Sequence, residues 1–172
     1  MRLFVAVRFS DATEKALGSA MNALRRQGRG NFTRAENLHL TLAFIGEVKS
    51  PDAAIAAIGA VRGAPFTMRL EKLGSFGDLY WVGCEKSPQL TALQHEVCAC
   101  LQKEGVSFDK KPFNPHLTLC RKYIPFTQIQ PHFIERALGS PCETVEEIVL
   151  MESSRDEKGW LVYTPVYVKK LI

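Results

Sequence analysis

No stretch of this chain approaches the roughly 18 uninterrupted apolar residues needed to cross a bilayer, so the sequence holds no candidate membrane helix. A Gly-rich phosphate loop is missing, which removes the common nucleoside-triphosphate architecture, and no serine sits in a nucleophile elbow. The five cysteines, Cys84, Cys98, Cys100, Cys120 and Cys142, form no Cys-x-x-Cys pair. Their odd number and spacing argue against a disulfide framework or a zinc site, and for reduced, mostly buried thiols. The opening apolar run, Leu3 to Val7, is too short for a secretory signal, so a cytoplasmic location is the expectation. Histidine is scarce as well, with four in 172 residues. That scarcity gives weight to where they stand.

What is present is a composition that folds: 46% of residues are hydrophobic and 23% charged, with a net charge of +4. These values are globular, and the mild positive balance is compatible with an anionic substrate without demanding one. Two of the four histidines occur in one repeated phrase, His39-Leu40-Thr41-Leu42 and His116-Leu117-Thr118-Leu119, 77 residues apart. On an extended strand, side chains alternate faces. Each His then shares a face with its Thr, while the leucines turn to the other side and into a core. Two such strands make two half-sites facing each other across one cleft.

Around these phrases the chain reads as alternating short elements. A first strand covers Leu3 to Phe9, and Asp11 to Glu14 has capping-box spacing ahead of a helix with Leu17, Met21 and Leu24 on one stripe. Residues 28–37 read as a polar loop. Ser50-Pro51 and Ser87-Pro88 are helix starts, with proline where its missing donor costs nothing. Residues 66–82 read as a hairpin, 126–138 as a short helix, and 145–151 and 160–168 as two final strands. The expected fold is α+β: a single bilobal domain over residues 1–172, with antiparallel sheets related by a pseudo-two-fold around a cleft, helices outside and one motif per lobe.

Two imidazoles in one cleft suit displacement at phosphorus, one taking a proton from the attacking oxygen and the other giving one to the departing oxygen. The hydroxyls of Thr41 and Thr118 can donate to phosphate oxygens, and Arg121 adds a charge-assisted donor if a bulge or strand end turns it towards them. Unbroken alternation would instead set Arg121 with the leucines and Cys120 with Thr118. Phe44 is a candidate base-stacking surface. Tyr163 and Trp160 read more simply as packing residues, and His95, His132 and the Lys110-Lys111 pair as surface or core-edge groups. Two histidines without a third ligand do not make a metal site, so no metal and no cofactor is expected.

The opening Arg2-Leu3-Phe4-Val5-Ala6-Val7, the segment Asn37 to Gly46 and the segment Phe113 to Arg121 together resemble the 2H phosphoesterases. Within them the likeness is to the RNA 2′,3′-cyclic phosphodiesterases, also called 2′-5′ RNA ligases. The resemblance implies a bilobal fold with His39, Thr41, His116 and Thr118 converging in its cleft. It also implies metal-free hydrolysis of an RNA terminal 2′,3′-cyclic phosphate to a 2′-phosphomonoester, with RNA ends, tRNA halves among them, as partners, and a reversible 2′-5′ joining activity. No membrane and no obligate protein partner is implied. Other cyclic phosphates, 2′-5′ oligonucleotides, and a non-catalytic module holding RNA ends stay open as alternatives.

Overall fold

A computed structural model describes residues 1–172. Its strands form two antiparallel sheets. The first has four strands: β1 (Arg2–Val7), β3 (Leu40–Glu47), β8 (Glu147–Arg155) and β9 (Leu161–Lys170), ordered β3-β1-β8-β9. The second has five: β2 (Gly28–Phe32), β4 (Phe66–Phe76), β5 (Leu79–Cys84), β6 (His116–Pro125) and β7 (Cys142–Val145), ordered β2-β6-β5-β4-β7. Helices α1 (Asp11–Arg25), α2 (Asp52–Gly59), α3 (Pro88–Lys103) and α4 (Pro131–Leu138) complete the α+β architecture. One repeated phrase thus lies at each sheet, the first at an edge strand and the second on an interior strand.

A single core of 34 buried residues joins the sheets and takes in Leu40 and Leu42 from one phrase, Leu117 and Leu119 from the other. At roughly 25 cal/mol per Å² of apolar surface removed from water, these leucines anchor both motif strands. A small second cluster, Phe4, Ala6, Val149 and Met151, lies on the opposite face of the first sheet, with Tyr163 packed against it.

Several boundaries differ from the sequence expectation. The cap of α1 is Ser10, one residue before Asp11, and its hydroxyl accepts from the Thr13 amide. The acid that completes this cap is not Glu14 but Glu143 of β7, which accepts from the amide and hydroxyl of Ser10 and from the Thr13 hydroxyl. Sequence spacing cannot show so distant a partner. The predicted loop at 28–37 contains β2 and a 3-10 turn at Ala35–Asn37, while the short helix read within 126–138 is started by Pro131, as a proline at the first helical position allows. Both unforeseen strands, β2 and β7, are short edges of the five-stranded sheet. Their pairing lies in long-range ladders rather than in their own residues.

Candidate active site

A cleft of about 1080 Å³ opens between the sheets, and His39, Thr41, Phe44, His116, Thr118 and Arg121 all line it. All six residues singled out from the sequence therefore meet in one place. Arg2, Arg34 and Arg155 join Arg121 there, against the carboxylates of Glu47 and Glu152. The cleft is net positive and its side-chain cations are all arginines, whose planar forks suit phosphate oxygens. Lys110 and Lys111 lie elsewhere, over Phe108 and beside Asp109, and His95 and His132 are also outside the cleft.

The two histidines are held by the same backbone device. His39 Nδ1 donates to the Asn37 carbonyl at 2.7 Å, and His116 Nδ1 donates to the Asn114 carbonyl at 2.6 Å. A carbonyl only accepts, so Nδ1 carries the proton and the lone pair of each neutral ring lies on Nε2. Around His39, Nε2 is 3.0 Å from the Thr41 hydroxyl. Both phrases begin with an asparagine two residues before the histidine, a repeat in the sequence that was available and marks this turn. Asn37 itself is buried, and its side-chain amide donates to the Leu161 carbonyl at 2.9 Å, tying the His39 turn to β9.

Burial is the largest influence on His39 and pushes its pKa below the ordinary imidazole range. The Asn37 hydrogen bond opposes this, while the positive charges of Arg121 and His116 reinforce it. Aromatic rings frame each imidazole: Phe4 and Tyr163 lie 4.9 and 5.0 Å from His39, and Phe76 and Trp81 lie 5.3 and 6.1 Å from His116. Burial pushes the Tyr163 phenol up. Trp81 has room because residue 74 is glycine; a Cβ there would stand 2.2 Å from the indole. The sequence reading of Tyr163 as a packing residue holds for its contact with Phe4, but the same ring also forms a wall of the cleft.

Simple alternation fails just after the threonine in each motif strand, and the failure builds the site. On β3, Thr41 pairs with Ala6 and Ala43 with Val5, so Leu42 is an extra residue. On β6, Thr118 pairs with Trp81 and Cys120 with Tyr80, so Leu119 is extra. Such a bulge reverses the facing of the residues that follow it. Ala43 and Cys120 consequently turn into the core, while Phe44 and Arg121 turn into the cleft. This overturns the placement of Cys120 beside Thr118, and it is the bulge that turns Arg121 towards the threonines instead of the leucines. Donors from outside the strand pairs reach backbone carbonyls at both bulges. Gln94 Nε2 donates to the Leu42 carbonyl and the Asp109 amide to that of Phe44, while the Thr33 amide and hydroxyl donate to the carbonyls of Leu119 and Thr118. A second irregularity, with Lys122 at φ 53°, lies opposite Gly30, where a Cβ would stand 2.6 Å from Cys120 Sγ and 2.9 Å from Tyr123 Cα. Only glycine fits there.

No three His, Cys, Asp or Glu side chains come together as a ligand set. Residues 11–157 match the family model of the 2′-5′ RNA ligase superfamily. The chain is 34% identical over 136 residues to an RNA 2′,3′-cyclic phosphodiesterase of Thermotoga maritima, covering 73% of this chain and 72% of that protein. This chain belongs to the RNA 2′,3′-cyclic phosphodiesterase family of 2H phosphoesterases. A member from Geobacillus stearothermophilus is 30% identical over 90% of this chain, and there the match spans only about half of the relative, 52% of its length. Family structures agree in fold: a Thermus thermophilus protein, TT0787, superposes with a TM-score of 0.82 at 28% identity, covering 99% of this chain and 97% of that one. Escherichia coli LigT complexed with 3′-AMP superposes with a TM-score of 0.79 at 27% identity over the same shares. The bilobal fold expected from the repeated phrase is thus the family's fold.

Proposed function

We propose that this protein hydrolyses the terminal 2′,3′-cyclic phosphate of RNA to a 2′-phosphomonoester, with His39 and His116 as the proton-transfer pair. The observation that supports this most is the shared tautomer. Each Nδ1 proton is held by a backbone carbonyl, leaving Nε2 of each ring as the atom that exchanges protons. One imidazole takes the proton of water as the water oxygen bonds to phosphorus. The other, as imidazolium, gives its proton to O3′ as the P–O3′ bond breaks. Proton transfers of this kind contribute about 10²–10⁴-fold. Thr41, Thr118 and Arg121 hold the non-bridging oxygens, and Phe44 stacks on a base. Neither proton transfer requires a metal.

The same groups work in the same direction when a ribose 5′-hydroxyl replaces water. Its oxygen bonds to phosphorus and gives up its proton as the P–O3′ bond breaks and O3′ takes one. This is how 2′-5′ joining of RNA ends, tRNA halves included, fits this site, and cleavage of that linkage by O3′ is the reverse. The deciding experiment incubates an oligonucleotide ending in a 2′,3′-cyclic phosphate with the protein and excess chelator. A 2′-phosphate end is the expected product. Absence of any monoester rejects hydrolysis, and a 3′-phosphate end rejects O3′ as the leaving group. A module that only held RNA ends would lose affinity, not rate, on His39→Ala or His116→Ala.

A further inference from the structure

Trp160 does not pack where the sequence reading puts it. It belongs to neither hydrophobic cluster and is 55% exposed, although its backbone is firmly held. Its amide donates to Asp156 Oδ1 at 2.9 Å, and its carbonyl accepts from the Asp156 amide at 2.9 Å. Arg155 and Lys158 extend the same tight tip between β8 and β9, through bonds of 2.9 Å each to the Gly159 carbonyl and to Asp156 Oδ1. Arg34 places its guanidinium 5.4 Å from the centre of the indole ring. Glu36 fixes that guanidinium through a 3.0 Å contact. An exposed aromatic that adds nothing to the core, carried on a rigid tip, is a preformed flat surface.

A second hollow of about 330 Å³ adjoins the cleft at this point and shares Arg34 and Trp160 with it. Its remaining lining is Asp156, Glu157 and Lys158. Two cations and two carboxylates leave the hollow without net charge, unlike the arginine-rich cleft beside it. A phosphate belongs in the cleft, and a neutral, planar, hydrogen-bonding group belongs in the hollow. Its volume is at the small end of ligand pockets, which start near about 300 Å³.

We propose that the hollow at Trp160 and Arg34 is a subsite for a nucleobase of RNA, that of the nucleotide next to the one bearing the cyclic phosphate. The base stacks on the indole and guanidinium planes, while its edge meets Glu157 and Lys158. Stacking of this kind tolerates any base, because every base has a π face. The subsite makes the preferred substrate a polynucleotide end rather than a free mononucleoside cyclic phosphate, and in this it rests on the hydrolytic reading above.

The test measures kcat/KM for a mononucleoside 2′,3′-cyclic phosphate and for a dinucleotide ending in the same group, and takes their ratio. The expected result is a wild-type preference for the dinucleotide. Trp160→Ala lowers the ratio about tenfold, within the range for loss of one stacked base, and Trp160→Phe retains most of it. Arg34→Ala lowers it less. An unchanged ratio in Trp160→Ala overturns the subsite. Calorimetric affinities for a 2′-phosphate-ended dinucleotide and for a 2′-phosphomononucleoside give the same ratio without turnover. If wild type hydrolyses neither substrate, the catalytic reading fails by itself, and the affinity ratio still decides the subsite.

Discussion

The two copies of His-Leu-Thr-Leu are identical in letters but stand in different surroundings. His39 belongs to an edge strand whose turn is pinned to β9 through the buried Asn37, and the Asn37 carbonyl bond to its Nδ1 is partly buried. His116 belongs to an interior strand, and its corresponding bond to Asn114 is open to solvent. Burial, with help from Arg121 and His116, keeps His39 neutral through a wider pH range than an ordinary imidazole. Five residues on from each histidine, one half offers an aromatic ring and the other a guanidinium. The pair therefore teaches that a duplicated motif supplies duplicated geometry, while the packing around each copy divides the labour.

The largest expected effects break the pair itself. His39→Ala and His116→Ala should each lower kcat by about 10²–10⁴-fold. The double variant should lose far less than the product of the two, since the groups act as a unit. Steady-state kinetics on a cyclic-phosphate-ended oligonucleotide checks both, and multiplicative losses would show that the histidines work independently.

Next come the positions where the halves differ. Arg121→Ala should lower kcat/KM about 10- to 100-fold on every cyclic phosphate, the equivalent of losing a charged hydrogen bond of about 1.5–3 kcal/mol. Phe44→Ala should cost less and vary with the base offered. Equal, base-independent losses in both variants would erase the proposed distinction. The bulge geometry is tested by stability rather than rate. Gly30→Ala should destabilise by about 1–3 kcal/mol in urea unfolding, because its Cβ meets Cys120 and the Tyr123 backbone. Gly18→Ala, mid-helix with nothing within 4 Å of the new carbon, should instead stabilise by about 0.5–1 kcal/mol.

The smallest effect is pH linkage at His39. Its folded pKa is below the unfolded one, so between the two values the unfolded chain binds more protons and stability rises with pH. The contribution is complete above the unfolded value near 6.5 and is lost as pH falls through the folded pKa. His39→Asn should flatten this part of a stability-against-pH curve. In kinetics, the acid limb of kcat/KM should fall below the usual imidazole value, whichever ring serves as acid. A limb at or above that value would contradict the burial of His39.

Much of the site was legible because it is local. Leu40, Leu42, Leu117 and Leu119 are buried as period-2 alternation requires, and the proline before His116 stands where β6 starts. The hairpin over β4 and β5 and the Ser87 cap of α3 also follow from near neighbours. What escaped depends on partners far along the chain. Glu143 completes a cap 133 residues away, β2 and β7 exist through their ladders, and Trp160 is exposed although its composition reads as core.

By itself the sequence determined the chemistry on offer: two imidazoles, each with a threonine on its face and leucines behind it. Spacing along an extended chain is a local property, and it survives any fold that keeps the strands. Which groups join them was decided only in three dimensions. An extra residue, Leu42 on β3 and Leu119 on β6, reverses the facing of the residues that follow it, turning Cys120 inward and Arg121 and Phe44 into the cleft. Whether a strand bulges depends on what it pairs with, and on donors such as Gln94 and Thr33 that satisfy the displaced carbonyls.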